Sequence, residues 1–430
     1  MEIILAIGYT ALFVFIIFKW KWFHDNKINR TIFIALFVAK VLASVFSIEL
    51  YTHRYDGGDA ITFYESSKKI TETFKTNPGD FFGLVSGVGD DKQFIKKYGE
   101  IQGWNNMDIV YNDNRTIIRI DALIGLVSMG FIYVHAVFFA FLSMIGLMGI
   151  YKAARLLSNN NPLLILAAVF LAPGVLFWLS MASKDSILIF AMGMLFYHCI
   201  RLLTISRSIG NMAGMFLAGF LFIHIKAYFL LMITPCLLAF TWVSVTRNKF
   251  SFMKYAIVYI ACLLLLFNAK YLLSGFDPLD VLVMKRLNFE AFADAFPKDM
   301  GSYIELPEFN SSWGSIMTAA PVSAFDVLTR PYLWESSSIL VALAAIENIL
   351  LILTLLAGLK FINWELMVKN KNFLLFCVFF VFSVFILIGL TTPVMGAMVR
   401  YKAPVLPFLC LIPVLISGKR KTTATEGSQS

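Results

Sequence analysis

Four short motifs carry residue types that can do chemistry. Asp56-Gly57-Gly58-Asp59 sets two carboxylates on a glycine turn, with Tyr64 five residues beyond the second. Glycine lets backbone approach a ligand closely, and a carboxylate there can take a proton from a hydroxyl nucleophile or hold a divalent cation. Asp59, just before Ala-Ile-Thr-Phe-Tyr, is equally suited to start a helix. Ser183-Lys184-Asp185-Ser186 lies between two apolar runs, and His224-Ile225-Lys226-Ala227-Tyr228 repeats the pattern with Lys226 placed like Lys184. A serine opening a helix offers free N–H groups to an anion, although a lone lysine can also snorkel to lipid headgroups. The fourth motif, 391–404, holds Arg400, Tyr401 and Lys402, and Arg330-Pro331-Tyr332-Leu333-Trp334-Glu335 adds another cation beside aromatics. The planar fork of arginine suits bidentate phosphate capture.

The elements that must position these residues are membrane spans. Hydrophobic residues make up 59% of the 430-residue chain and charged residues only 15%, against about 25% charged in ordinary soluble domains. About 20 apolar residues cross a bilayer as a helix. The apolar runs place eleven spans near 2–18, 32–50, 131–151, 162–181, 187–204, 211–225, 228–246, 254–273, 338–359, 373–390 and 402–417. The expected fold is an all-α polytopic membrane protein forming one integral domain over 1–421, with 422–430 as a disordered polar tail.

Lysine and arginine in short loops stay cytoplasmic. Six connections are basic: Lys19, Lys21, Lys27 and Arg30; Lys152 and Arg155; Arg201 and Arg207; Arg247, Lys249 and Lys254; Lys360, Lys369 and Lys371; and Lys419 to Lys421. All six fall on one side of an eleven-span chain, which puts the N-terminus outside and the C-terminus inside. The formal charge of +9 is then a topology signal, and no nucleic-acid partner is read from it. Glu2 and the lack of a small-residue cleavage site before Lys19 argue for an anchor and against a signal peptide.

The two long hydrophilic segments, about 51–118 and 274–337, fall on the outer face, as do all four motifs. Within the first, Ile61, Tyr64, Ile70 and Phe74 can share the apolar side of a helix over 60–74 whose Glu65, Lys68 and Lys69 face water. Residues 115–130 read as a second interfacial or re-entrant helix. Glu347 and Asn348 lie inside a span, where an ionisable group must be paired, protonated or facing a cavity. The five cysteines all fall in spans without a CxxC pair, and His135, His198 and His224 stand isolated, so no metal site is assigned. No cofactor motif is present, and a divalent cation on the acidic turn stays an open option.

Carboxylates beside Lys184, Lys226, Arg330 and Arg400 on one face suit an anionic amphiphile. The acidic motif in the first outer loop, the many spans and the late Arg400-Tyr401-Lys402-Ala403-Pro404-Val405-Leu406-Pro407 segment resemble the GT-C class of polytopic glycosyltransferases and related polysaccharide polymerases. This chain differs in an extra span before the acidic loop and in lacking an Asp-x-Asp pair. The resemblance implies a bacterial inner-membrane enzyme of cell-surface polysaccharide assembly, with a polyprenyl-(pyro)phosphate-linked sugar donor and a glycan acceptor. It makes Asp56 or Asp59 the catalytic base and Arg400 a ligand of the carrier phosphate. Tyr64, Lys184, Asp185, Lys226, Arg330 and Tyr401 complete the expected substrate site. The alternatives are a lipid-linked glycan flippase, whose charges would run through the span centres, and a non-catalytic membrane subunit of an envelope assembly.

Overall fold

The computed structural model describes residues 1–54, 57–87, 96–101, 104, 113–246, 249–272, 277–295, 303–307, 309, 312–336 and 338–418. Asp56 and the 422–430 tail lie outside the described residues. Among the described residues the chain is helical, with no strand beyond isolated bridges. In chain order the helices are α1 (Glu2–Lys19), α2 (Arg30–His53), α3 (Asp59–Thr76), α4 (Pro78–Ser86), α5 (Asp113–Ser128), α6 (Ile132–Leu157), α7 (Pro162–Phe170), α8 (Pro173–Phe177), α9 (Lys184–Thr204) and α10 (Ile209–Val245). They continue as α11 (Ser251–Phe267), α12 (Ala269–Leu272), α13 (Pro278–Ala295), α14 (Trp313–Thr329), α15 (Ile339–Lys360), α16 (Trp364–Lys369), α17 (Lys371–Thr391), α18 (Met395–Lys402) and α19 (Leu406–Ile416). Among the described residues, eight stretches are long and apolar enough to cross a membrane: α1, α2, α6, α9, α10, α15, α17 and the run Met395–Ile416.

The expected span over 162–181 is not continuous. Pro173 has no N–H to give the preceding turn and pushes Ala172 out of the helical region, to φ −60 and ψ 128. The run is therefore two short helices, α7 and α8, followed by a turn that leads into α9. Lys226 interrupts α10 with non-helical backbone (φ −153, ψ 81). The first arm, 209–225, runs against α9: His198 meets Asn211 at 3.2 Å, and Lys226 meets Asp185 at 2.6 Å. Had α10 continued straight, Phe240 would lie about 20 Å beyond Asp185. Instead its ring stands 6.0 Å from Phe376, which stacks at 4.9 Å on Phe196 in the middle of α9. Both arms therefore lie on the same side of Lys226, and the lysine is the tip of a fold-back.

The described parts of the short basic connections gather at one end of the bundle. Asp25 pairs with Arg155 at 3.3 Å, Trp22 meets Tyr197 at 4.8 Å, and Phe196 meets Phe373 at 6.0 Å. The Asn372 amide donates to the Phe240 carbonyl and to Ser244, and the Asn370 amide to the Leu415 carbonyl. The centre of the bundle is the α6–α9 pair, which meets through glycines: a Cβ on Gly149 would come within 2.7 Å of the Gly193 carbonyl oxygen. α1 sits at the periphery, leaving an apolar groove of about 630 Å³ against α2 and α6.

In α3, Phe63, Tyr64, Ser67 and Ile70 are buried while Glu65, Lys68 and Lys69 are exposed. Phe74, on the expected apolar side, is 41% exposed and packs against the rings of Phe81 and Phe82 on α4. Residues 113–128 form a separate helix, ended by Met129 and Gly130 at φ 55 and 73 before α6 begins. Such a left-handed pair turns the chain sharply, and glycine tolerates it at little strain.

Candidate functional site

The site is assembled at the end of the bundle opposite the basic loops, around Asp185. Ser183 caps α9 by accepting from the Asp185 N–H at 3.4 Å, which fixes the carboxylate in the first helical turn. Ser186 donates from its hydroxyl to the carbonyls of Leu179 (3.0 Å) and Met181 (2.5 Å), holding the preceding turn against the helix start. Asp185 is wholly buried. Lys226 Nζ donates to its Oδ1 and Arg400 Nε to its Oδ2, each at 2.6 Å. One carboxylate thus joins α9, the tip of α10 and α18.

Arg400 reaches further. Its Nη1 donates to Asp59 Oδ2 at 3.3 Å, and the Asp59 side chain is 61% exposed. Asp59 is the first residue of α3, with Gly58 in the capping position and no side-chain cap. Its carboxylate therefore faces Arg400 and does not serve as the helix cap that its position suggested. Lys226 Nζ lies 4.7 Å over the Tyr401 ring, and Lys184 Nζ lies 5.3 Å over the Phe63 ring of α3. Of the residues singled out by sequence, Asp59, Lys184, Asp185, Lys226, Arg400 and Tyr401 are drawn together through α3, α9, α10 and α18. Asp185 is enclosed by the two cations that it pairs.

Two expected members face elsewhere. Tyr64 donates its hydroxyl to the Gly130 carbonyl and sets its ring edge-on to His135 at 5.2 Å, at the α5–α6 corner. Burial pushes its phenol up to about 12, helped by Glu65, Glu2 and Asp121 nearby. Arg330 forms its ion pairs with Asp326 (3.3 Å) and Glu335 (3.2 Å), its Nε near Asp326 without alignment for a hydrogen bond. Burial raises the Asp326 carboxyl although Arg330 opposes the shift. Arg330 touches the cluster only through its carbonyl, which accepts from Lys402 Nζ at 3.3 Å. Lys402, expected at a span mouth, is 1% exposed and also bonds Asn348. Asn348 in turn donates to the carbonyls of Thr329 and Pro331, while Glu347 accepts from the Gly174 N–H at 2.7 Å.

Two buried groups escaped the sequence reading. Lys40, in the middle of α2, is 0% exposed and donates to the Leu179 carbonyl at 3.4 Å, the carbonyl that Ser186 also uses. His135 is not isolated: Asp121 bonds its Nδ1, and Ser128 meets its Nε2 at 2.7 Å, with all three side chains buried. The Met129-Gly130 turn between the two helices was the available signal. Among the described residues no group of three His, Cys, Asp or Glu side chains could hold a metal ion.

No protein-family model, curated protein or solved structure matches the chain.

Proposed function

We propose that this chain is an integral-membrane glycosyltransferase or glycan polymerase that uses a polyprenyl-(pyro)phosphate-linked sugar donor in cell-surface polysaccharide assembly. The reading takes eleven crossings, counting α7–α8, both arms of α10 and α11. It puts the basic end in the cytoplasm of a bacterial cell and the Asp185 cluster at the outer face.

The observation that carries the reading is the double engagement of Arg400. Its inner bond goes to buried Asp185, and its outer bond goes to exposed Asp59. An exposed ion pair contributes only about 0–1 kcal/mol, so a carrier phosphate can replace Asp59 on the outer edge of the guanidinium while Asp185 keeps the guanidinium in place. The displaced Asp59 carboxylate then stands beside the bound donor. The acceptor hydroxyl attacks the anomeric carbon and its proton passes to Asp59. The bond between that carbon and the carrier oxygen breaks, and its electron pair leaves on the carrier phosphate. Arg400, Lys226 and Lys184 stabilise the charge that develops there. Asp56, three residues before Asp59 in sequence, is the other candidate base, and a divalent cation on the acidic turn is compatible with this scheme.

One observation favours the flippase alternative: buried Lys40 sits in the middle of α2 with no carboxylate paired to it among the described residues. The two readings separate in detergent. Purified protein given a radiolabelled polyprenyl-linked donor and acceptor should form a new glycosidic bond without any membrane to cross. Loss of this product in Asp59→Asn together with Asp56→Asn supports the transferase; product formation unchanged by both substitutions overturns the role given to the acidic turn. In cells, deletion should cause lipid-linked glycan intermediates to accumulate.

A further inference from the structure

A charged cavity lies at the end of the bundle opposite the Asp185 cluster. About 390 Å³ in volume and open to the outside, it is bounded by the 20–29 connection and the ends of α6 and α9, and Asp25, Lys27, Lys152, Arg155, Tyr197 and Arg201 line it. Four cations there face one carboxylate, and that carboxylate is already engaged. Asp25 accepts from the Lys27 N–H at 2.8 Å, the Tyr151 hydroxyl at 2.8 Å and Arg155 Nε at 3.3 Å. Lys152 and Arg201 form no direct ion pair among the described residues, although Asp25 is near enough to act on Lys152 through its charge. Lys152 Nζ rests 5.0 Å over the Trp22 ring, and Arg201 Nη1 donates to the Tyr197 hydroxyl at 3.1 Å. Arg201 Nε and Trp22 Nε1 are buried N–H groups with no acceptor.

Ordinary basic residues at a span end splay into the headgroup layer. Here they converge on a cavity; Arg201, which lines it, keeps one N–H without a partner, as does Trp22 beneath Lys152. A buried donor lacking an acceptor is destabilising and rare, so the corner is incomplete as it stands. An anion with several acceptor oxygens would meet the guanidinium, the ammonium and the excess positive charge together; phosphate does so, and it pairs with arginine through two parallel bonds.

We propose that this cavity is a binding site for a phosphate-bearing anion, held by Lys152, Arg155 and Arg201 and separate from the Asp185 cluster. The phosphate belongs either to an anionic phospholipid headgroup or to a small soluble phosphate ester. Neither source takes part in the transfer chemistry proposed for the other end, so the inference stands whether or not that chemistry does.

The test is thermal unfolding of the full-length protein, stripped of lipid in a zwitterionic detergent, with phosphatidylglycerol, phosphatidylcholine or inorganic pyrophosphate added. The midpoint should rise by about 3 °C or more with phosphatidylglycerol or with pyrophosphate at saturation, and not with phosphatidylcholine. A rise with the lipid alone names a headgroup; a rise with pyrophosphate names a soluble ligand. Arg201→Gln and Lys152→Gln should each remove at least half of the rise. Lys249→Gln, in another basic connection at the same end, should leave it intact. If Arg201→Gln cannot be purified, Lys152→Gln carries the comparison. No rise in the unaltered protein with either anion, or an equal loss in Lys249→Gln, overturns the site.

Discussion

The two charged ends of this bundle use their cations in opposite ways. Around Asp185, Lys226 and Arg400 are fixed from inside by a carboxylate with no exposure, and only Arg400 extends to exposed Asp59. At the basic end, Asp25 pairs directly with Arg155, and Lys152 and Arg201 form no direct ion pair among the described residues. Burial explains the contrast. A charge taken out of water must be paired, hydrogen-bonded or neutralised, whereas a half-exposed cation can wait for an outside anion. Positions of cations along the chain do not separate the two cases; the carboxylates brought beside them do.

The sharpest way to break this contrast is Asp185→Asn. It leaves two cations beside a neutral amide, and removal of one partner from a buried pair costs about 3–5 kcal/mol. Thermal unfolding should show a large drop in midpoint, and an unchanged midpoint would mean that the cluster is not desolvated. Asp59→Asn should do the reverse: stability changes by about 0.5 kcal/mol or less, while product formation falls by about 10²-fold or more, as expected for loss of a general base. Equal effects on both measurements would erase the distinction between inner and outer carboxylate.

Arg400→Lys keeps the charge but cannot span Asp185 and Asp59 with two edges of one plane. Transfer should fall about tenfold, with the change in apparent donor affinity read from the donor dependence of the rate. The smallest effect belongs to the basic end. Burial disfavours the charged form of Asp25, but the Lys27 N–H, the Tyr151 hydroxyl and Arg155 outweigh it and hold the carboxyl below its ordinary value. The unfolded chain then takes up its proton first as pH falls, so the contribution of Asp25 is complete above about pH 4 and disappears as pH drops through the lower folded value. Asp25→Asn should lower the unfolding midpoint at pH 7 by on the order of 1 °C, with the gap closing below pH 4.

Elements defined by local pattern were readable in the sequence: the apolar helices, the reversal at Lys226 and the water-facing Glu65, Lys68 and Lys69. Apolar periodicity and turn chemistry act within a few residues. The interruption at Pro173 was equally local, yet the surrounding apolar run masked it. Partners set by packing were not readable. Arg400 and Asp185 are 215 positions apart, and Lys402 meets Asn348 across 54. Asp121 and His135 are only 14 apart, but a left-handed turn between them decides that they meet. Hydropathy gives each helix its apolar character and not the rotation that selects a neighbour. Arg330 and Tyr64 were placed with the cluster because they share its membrane end, and depth alone does not bring side chains into contact.

The glycine contact between α6 and α9 has a mechanical consequence. With Gly146, Gly149 and Gly193 bringing the two backbones together, this pair has no side-chain layer that could compress or tilt when the bilayer thickens or thins. Hydrophobic mismatch must then be absorbed by the helices around it, α1 above all, since it lies at the periphery with an open groove along part of its contact with α2 and α6. Because α9 carries Asp185 on its first turn, the charged cluster would keep its depth while the surrounding lipid changes, and the distance from carrier headgroup to guanidinium would vary with membrane thickness.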